Sequence, residues 1–297
     1  MVNLIFLGTG DQIPSLKRNH SAVLLNYEGE NILFDCGEGT QRQFRKARLN
    51  PGKVTRICIS HWHGDHVLGI IGLISTLSSS GHNKPLYIYG PTGTREKFHK
   101  FLELFPFQKN YSIFVEEVEG KFFENEFFYL EAEKMDHGIP CLAYSFVKKG
   151  LRRIDKEKMK KEKLSSGKYL RDLKEGKDIF VEGKKYKAKD LTFKENDLKI
   201  SYLSDTRENS KIIPFVKNSN LLISECTFMD SFEKEAKVKG HLTSKQVAKI
   251  AKKANVKKLA IIHVASRHEK NFKEILQEVK ENFKDTIMPR DLDKIEI

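Results

Sequence analysis

His61-Trp62-His63-Gly64-Asp65-His66 puts four potential metal ligands within six residues, directly after the apolar run at residues 56–60. That run reads as a buried strand and residues 67–77 as a helix. In extended chain at a strand end, His61 and His63 project to the same side, because side-chain direction repeats every two residues. Gly64 is expected to permit a tight turn, leaving Asp65 and His66 to open the helix and face neighbouring space. One short segment thereby offers one pair of ligands to each of two metals. Imidazole nitrogen and carboxylate oxygen suit zinc, and other first-row divalent ions fit as well. A lone histidine is more often structural than ligating. Three histidines and an aspartate in one strand-to-helix turn have little structural reason to exist.

Outward from this segment, residues 4–7, 22–25, 32–34 and 86–89 read as strands, 40–47 and 94–104 as helices, and 112–147 as two or three further strands. Residues 198–203, 220–224 and 259–262 read as strands, with helices at 244–254 and 271–283. Helices covering a mostly antiparallel or mixed double sheet would fit this order. A chain of 297 residues is long for one domain, but α/β folds of this length often form one. The apolar stretch at residues 4–7 ends at Gly8, too short for a signal-peptide core, and no run is long enough to cross a bilayer. A cytoplasmic protein with no membrane partner is expected. Cys36, Cys58, Cys141 and Cys226 form no Cys-x-x-Cys pair, so buried reduced thiols are expected.

The net charge of +13 suggests a polyanionic partner. Residues 148–190 carry seventeen Lys and Arg against eight Asp and Glu, a net of +9. So polar a stretch supplies little core and reads as an excursion from the globular body. Charge runs are commonly just solvated, and this one by itself does not name a ligand.

The central segment matches the His-x-His-x-Asp-His signature of the metallo-β-lactamase superfamily at every specified position. That resemblance implies an α/β (α+β) fold, a four-layer αβ/βα sandwich, and three later ligands. His137, Asp205 and His263 stand in the required order, each after or at the end of an apolar run. By this carry-over His61, His63 and His137 hold one metal, Asp65, His66 and His263 hold the other, and Asp205 bridges them. Two Zn2+ per subunit are implied, with Mn2+, Mg2+ or other divalent ions as alternatives.

Within the superfamily, the whole chain, residues 1–297, resembles the ribonuclease Z family. The likeness is carried by Phe6-Leu-Gly-Thr-Gly10, Phe34-Asp-Cys-Gly-Glu-Gly-Thr-Gln41, Gly90-Pro-Thr-Gly93, Gly240-His-Leu-Thr243 and His263-Val-Ala-Ser-Arg267. It implies a metal-dependent endoribonuclease that removes the 3′ trailer from precursor tRNA, leaving a tRNA 3′-hydroxyl and a 5′-phosphorylated trailer. Asp65 would orient or deprotonate the attacking water. His241, oriented by Glu225, would protonate the departing ribose oxygen. Gly8 and Gly10 would let backbone approach the site. Family members usually act as homodimers.

On the same resemblance, residues 148–190 form one inserted basic arm in a single-domain chain and grip the tRNA elbow. Lys148, Lys149, Arg152, Arg153, Lys160, Lys161, Lys168, Arg171, Lys174 and Lys177 are its phosphate-contact candidates. Tyr169, Phe180 and Tyr186 are candidates for stacking. Departures from the family pattern are Ser165-Ser-Gly-Lys168 at the arm tip, Leu16 where a lysine is expected, Ser224 for a histidine and His268 for a tyrosine. The rival readings are a general phosphodiesterase, a thioester or lactam hydrolase with the same metal cage, and a non-catalytic RNA-binding relative.

Overall fold

Alternation along the first strands sets the layering. Ile5 and Leu7, Ala22 and Leu24, Leu33 and Ile57 share one apolar cluster with the helix residues Phe44, Leu73, Leu77 and Phe98. Their sequence neighbours turn to the opposite face of the sheet. There Phe34 stacks on Tyr202, with ring centroids 5.4 Å apart, and tilts against Tyr144 at 6.2 Å. Tyr144 and Tyr202 belong to a second sheet. Its own outer face, through Leu222, Leu259 and Ile261, packs on Val247, Ile250, Ile275 and Val279 of two helices. The layers run helix, sheet, sheet, helix, as the superfamily resemblance implies.

These relations come from a computed structural model that describes residues 1–105 and 110–297. The first sheet is ordered Lys294–Glu296, Asn3–Gly8, Ala22–Tyr27, Glu30–Phe34, Arg56–Cys58, Leu86–Gly90 and Ile113–Glu117. Pairing is antiparallel up to Glu30–Phe34 and parallel beyond it. The second sheet is ordered Thr286–Ile287, Leu259–Ile262, Leu221–Glu225, Leu198–Leu203, Pro140–Lys148, Phe128–Asp136 and Gly120–Glu124, the first four mutually parallel. Parallel strands end at Cys58, Leu203, Glu225 and Ile262, so the segments holding His61, Asp205 and His263 leave the sheets at carboxyl ends. Ligand sites in α/β folds gather at such ends. All four cysteines are buried free thiols.

Two local expectations are corrected. The region 112–147 contains four strands, not two or three; a turn at Gly120, where φ is +66°, cuts one run whose Glu and Lys residues hide the alternation. The helix read at 67–77 is two helices, Gly64–Val67 and Gly69–Ser79. At Gly69 a Cβ would fall 1.9 Å from the Gly37 carbonyl oxygen, and the backbone contact that requires this glycine, Gly69 N–H to Cys36 O at 2.9 Å, anchors the break.

Contacts divide the chain into two units. One takes in Met1–Glu124, Leu130–Phe146 and Lys199–Ile297, the other Asn125–Tyr129 and Val147–Leu198. The second unit has a core of its own: Met159, Leu173, Ile179, Ala188 and Leu191 are buried together. Arg152–Ile154 pairs antiparallel with Thr192–Lys194, and Ile179–Val181 with Lys184–Tyr186 across Glu182-Gly183. Both turn residues have positive φ, +49° and +79°, as a two-residue hairpin turn demands. The sparse apolar residues of this Lys-rich stretch therefore converge.

Candidate metal centre

His61 leaves the strand Arg56–Cys58 in extended chain, and His63 is the N-cap of the helix Gly64–Val67. Gly64 is the first residue of that helix and has no positive φ, so it is not the turn residue expected. Helix geometry then turns Asp65 and His66 inward, both buried. His61 Nε2 and His137 Nε2 approach His63 Nδ1 at 3.0 and 3.2 Å. Asp205 Oδ2 lies 3.7 Å from each of those two Nε2 atoms and 3.5 Å from His66 Nε2. Asp65 Oδ2 is 3.1 Å from His66 Nε2 and 3.3 Å from His263 Nε2, while Asp205 Oδ1 is 3.5 Å from His263. The fold thus gathers His61, His63, His137 and Asp205 in one set and Asp65, His66 and His263 in an adjoining one.

The hydrogen bonds behind the rings test whether cations fit. His137 Nδ1 lies 2.7 Å from the Gly240 carbonyl oxygen, which can only accept, so Nδ1 carries a proton. In the neutral ring Nε2 is then a bare lone pair aimed at other acceptors. His66 Nδ1 is fixed in the same way by Asp35 Oδ2 at 2.8 Å. His66 Nε2 and Asp205 Oδ1 are buried with no hydrogen-bond partner, although such groups are nearly always satisfied. Lone pairs and carboxylates converging in this way suit divalent cations, and the donor set of imidazoles and carboxylates suits zinc.

Charge within the cluster is unevenly distributed. Burial, reinforced by His66, holds the His61 imidazole well below its ordinary range. Burial and the neighbouring His137 lower His63. Against the cost of burial, Asp205 and Asp35 raise His66, and Asp205 and a hydrogen bond to Asp65 raise His263 to about 9. Asp65 is equally opposed by burial, yet the neighbouring His263 and His66 imidazoles hold it far below the carboxylate range.

Three supporting residues have no signature in the motif. Asp35, fully buried, accepts from Ser60 N–H at 2.7 Å, Ser60 Oγ at 2.8 Å and Tyr202 OH at 2.8 Å besides facing His66. Ser60 Oγ in turn lies 3.0 Å from His61 Nδ1. Thr227 Oγ1 donates to Glu225 Oε2 at 2.5 Å and sits 3.0 Å from His263 Nδ1. Asp35 and His263 both have left-handed backbone, φ +55° and +56°, rare for residues with a Cβ and held by Asp35 N–H to Cys58 O and His263 N–H to Thr9 O. Asp35 is the first acid after an apolar strand and lies in the segment Phe34–Gln41 that carries the family likeness, but neither feature names its partners.

Glu225 is buried and accepts from the backbone of Thr206, Thr227 and Leu242 at 3.0 to 3.1 Å. Its Oε1 is also 3.2 Å from His241 Nδ1. Despite burial, Glu225 and Asp205 raise the His241 imidazole above its ordinary range. Backbone at Gly8 and Gly10 does come close to the candidate site, since Thr9 between them accepts from His263 N–H at 3.0 Å and Gly10 bridges to Val264. A Cβ on Gly8 would fall 1.7 Å from the His20 carbonyl oxygen and one on Gly10 3.0 Å from that of Asn19, so both make room for residues 18–20. Ser224 and His268 are buried, and Leu16 is fully exposed.

In the smaller unit Arg153, Lys160, Lys161, Lys168, Arg171, Lys174 and Lys177 are exposed, whereas Lys148, Lys149 and Arg152 are half-buried. Glu195 pairs with Arg153, and Glu175 with Arg171 and Lys177. Of the three stacking candidates Phe180 is 72% exposed, while Tyr169 and Tyr186 pack on the unit's core.

Comparison with known proteins places this geometry. Ribonuclease Z of Nanoarchaeum equitans is 35% identical over 293 residues, covering 99% of this chain and 92% of its own. Ribonuclease Z of Methanosarcina acetivorans is 36% identical over 300 residues, covering 100% and 98%. The crystal structure of the short form of human tRNase Z superposes with a TM-score of 0.72 at 27% identity, over 99% of both chains. Residues 2–103 also match a family model described as anti-Pycsar protein Apyc1.

Proposed function

The chain belongs to the ribonuclease Z family, and from that premise we propose how it removes the 3′ trailer from precursor tRNA. It is a tRNA 3′-processing endoribonuclease, a phosphodiester hydrolase. In our reading His61, His63 and His137 would hold one divalent ion and Asp65, His66 and His263 a second, with Asp205 available to either set. Zinc is the ion the donor set favours, with Mn2+ or Mg2+ as substitutes. Such a pair, when bound, supplies an acidified water and neutralises charge on a phosphate during in-line displacement.

The protein's own groups do the rest. Asp65, kept ionised by its two histidine partners, orients the attacking water and draws its proton. His241 lies on the rim, its side chain 14% exposed, and gives a proton to the departing ribose 3′ oxygen. Glu225 holds that ring in place and keeps it charged. The products are tRNA with a 3′ hydroxyl and a trailer with a 5′ phosphate. Residues 148–190 bind the tRNA body through phosphate contacts that are independent of sequence. We take the enzyme to work as a cytoplasmic homodimer; among the described residues no helix is long and apolar enough to cross a membrane.

The observation that carries the mechanism is the meeting of seven ligand side chains beside a histidine–glutamate pair. Cleavage of a pre-tRNA, a small phosphodiester and a thioester, each with and without chelator, tests it. Chelator-sensitive release of a 5′-phosphorylated trailer, with pre-tRNA far preferred, is expected. Equal turnover of the small ester, or a preference for the thioester, would replace this reading with one of its rivals.

A further inference from the structure

Beside His241 and His263 lies a cavity of about 160 Å³ whose border also includes Ile13 and Arg267. Ile13 is 64% exposed, an apolar side chain on the border of that cavity. Arg267 is pinned from three directions. Its guanidinium carbon sits 4.9 Å above the Phe228 ring centroid and 5.0 Å above that of Phe232, and Nη2 is 2.8 Å from Glu235 Oε2.

The segment bearing Ile13 is equally fixed. Ser15 Oγ donates to Glu269 Oε1 at 3.2 Å, tying it to the turn Ser266–Asn271 that carries Arg267. Arg18, buried, lies 4.6 Å from the Phe272 ring centroid and donates to Thr9 Oγ1 and the Pro289 carbonyl. Gly10 bridges to Val264, one residue beyond His263. The two banks of the cleft are thereby held at a set spacing before any substrate arrives, which lowers the ordering cost of binding.

A branched apolar side chain and an immobilised guanidinium plane bordering one narrow cleft suit a flat ring gripped by both faces. Unpaired nucleobases are recognised in this way. We propose that the cleft seats the base of one unpaired nucleotide adjoining the scissile phosphate, with Ile13 on one face and Arg267 on the other. The inference rests on the endonuclease reading and deepens it. Because every base has a π-face, the grip tolerates any sequence. Its consequence is register: fixing one base fixes which phosphate reaches the metal ligands. Lys239, on the same border and 3.0 Å from Glu235 Oε1, supplies a cation near the strand's backbone.

The test is a cycle between enzyme and substrate. Pre-tRNAs carrying an abasic residue on either side of the cleavage point are compared with the intact substrate, using wild type, Ile13→Ser and Ile13→Trp. With wild type, an abasic residue on one side should lower kcat/KM about tenfold, the usual weight of one stacked base. Ile13→Ser should lose about as much on intact substrate and nothing further on the abasic one, and cut at more than one bond. Ile13→Trp should restore the difference. Effects that simply multiply at both positions would overturn the proposal, whatever their size. Wild-type enzyme indifferent to pre-tRNA would instead remove the parent reading, and this one with it.

Discussion

Asp35 Oδ2 and His66 Nδ1 stand 2.8 Å apart with both side chains sealed from solvent. The same oxygen receives Ser60 Oγ and Tyr202 OH, so one carboxylate braces His66 directly and His61 through Ser60. A carboxylate behind a ligating imidazole fixes its tautomer and strengthens it as a donor.

Asp35→Asn should therefore weaken divalent-ion binding roughly 10- to 100-fold, the usual cost of losing such a partner. Zn2+ titration against a competing chelator measures it. Unchanged affinity would reduce Asp35 to a packing role between the sheets.

Removing ligands should separate the two sets. His63→Ala and His263→Ala are each expected to leave about one ion per chain instead of two, read by elemental analysis after dialysis. Turnover should vanish in both, because neither set alone completes the cluster. Pre-tRNA affinity should survive if, as proposed, phosphate contacts elsewhere supply most of it. Retention of two ions by either variant would contradict the assignment.

How far the sequence reveals such a site depends on how local the cause is. His61, His63, Asp65 and His66 are legible as candidates because four potential ligands crowd one turn, whereas His137, Asp205 and His263 stand out only through the order that the superfamily resemblance implies. Asp35 is not legible, since its place depends on Ser60, His66 and Tyr202, which arrive from separate segments. Thr227 looks like any hydroxyl two residues past an acid. The layers follow from apolar runs, but the smaller unit's core does not. Met159, Leu173, Ile179 and Leu191 are separated by charged stretches with no helical or strand period. The split at Leu68 likewise reflects a backbone contact with Cys36 that no local pattern encodes.

The Glu225–His241 pair makes a prediction in pH. Against the cost of burial, Glu225 raises the His241 imidazole, so the protonated form that the proposed mechanism uses persists to higher pH than in a free histidine. Glu225→Gln removes that charge, the imidazole falls, and the proton is lost earlier as pH rises. The basic limb of the kcat profile should shift toward acid, with ion content unchanged. A profile that drops uniformly without moving would mean that Glu225 only shapes the loop around Leu242 and Thr206.

Excising the basic arm should separate tRNA recognition from chemistry. Glu195 N–H donates to the Leu151 carbonyl at 2.9 Å and Arg152 pairs with Lys194, so the ends of the excursion run side by side. Residues 152–194 can therefore be replaced by a short Gly-Ser link, and the buried cluster around Met159 and Leu173 leaves as a unit. If these residues supply phosphate contacts, kcat/KM for pre-tRNA should fall at least about a hundredfold, and its dependence on salt should flatten as released counterions disappear. Hydrolysis of a small phosphodiester should persist, because no proposed ligand lies in the excised stretch. The salt slope separates this from a general loss of fold, which would lower both activities together and leave the slope of the remaining enzyme unaltered. Full pre-tRNA activity without the arm would show that its charge is merely solvated.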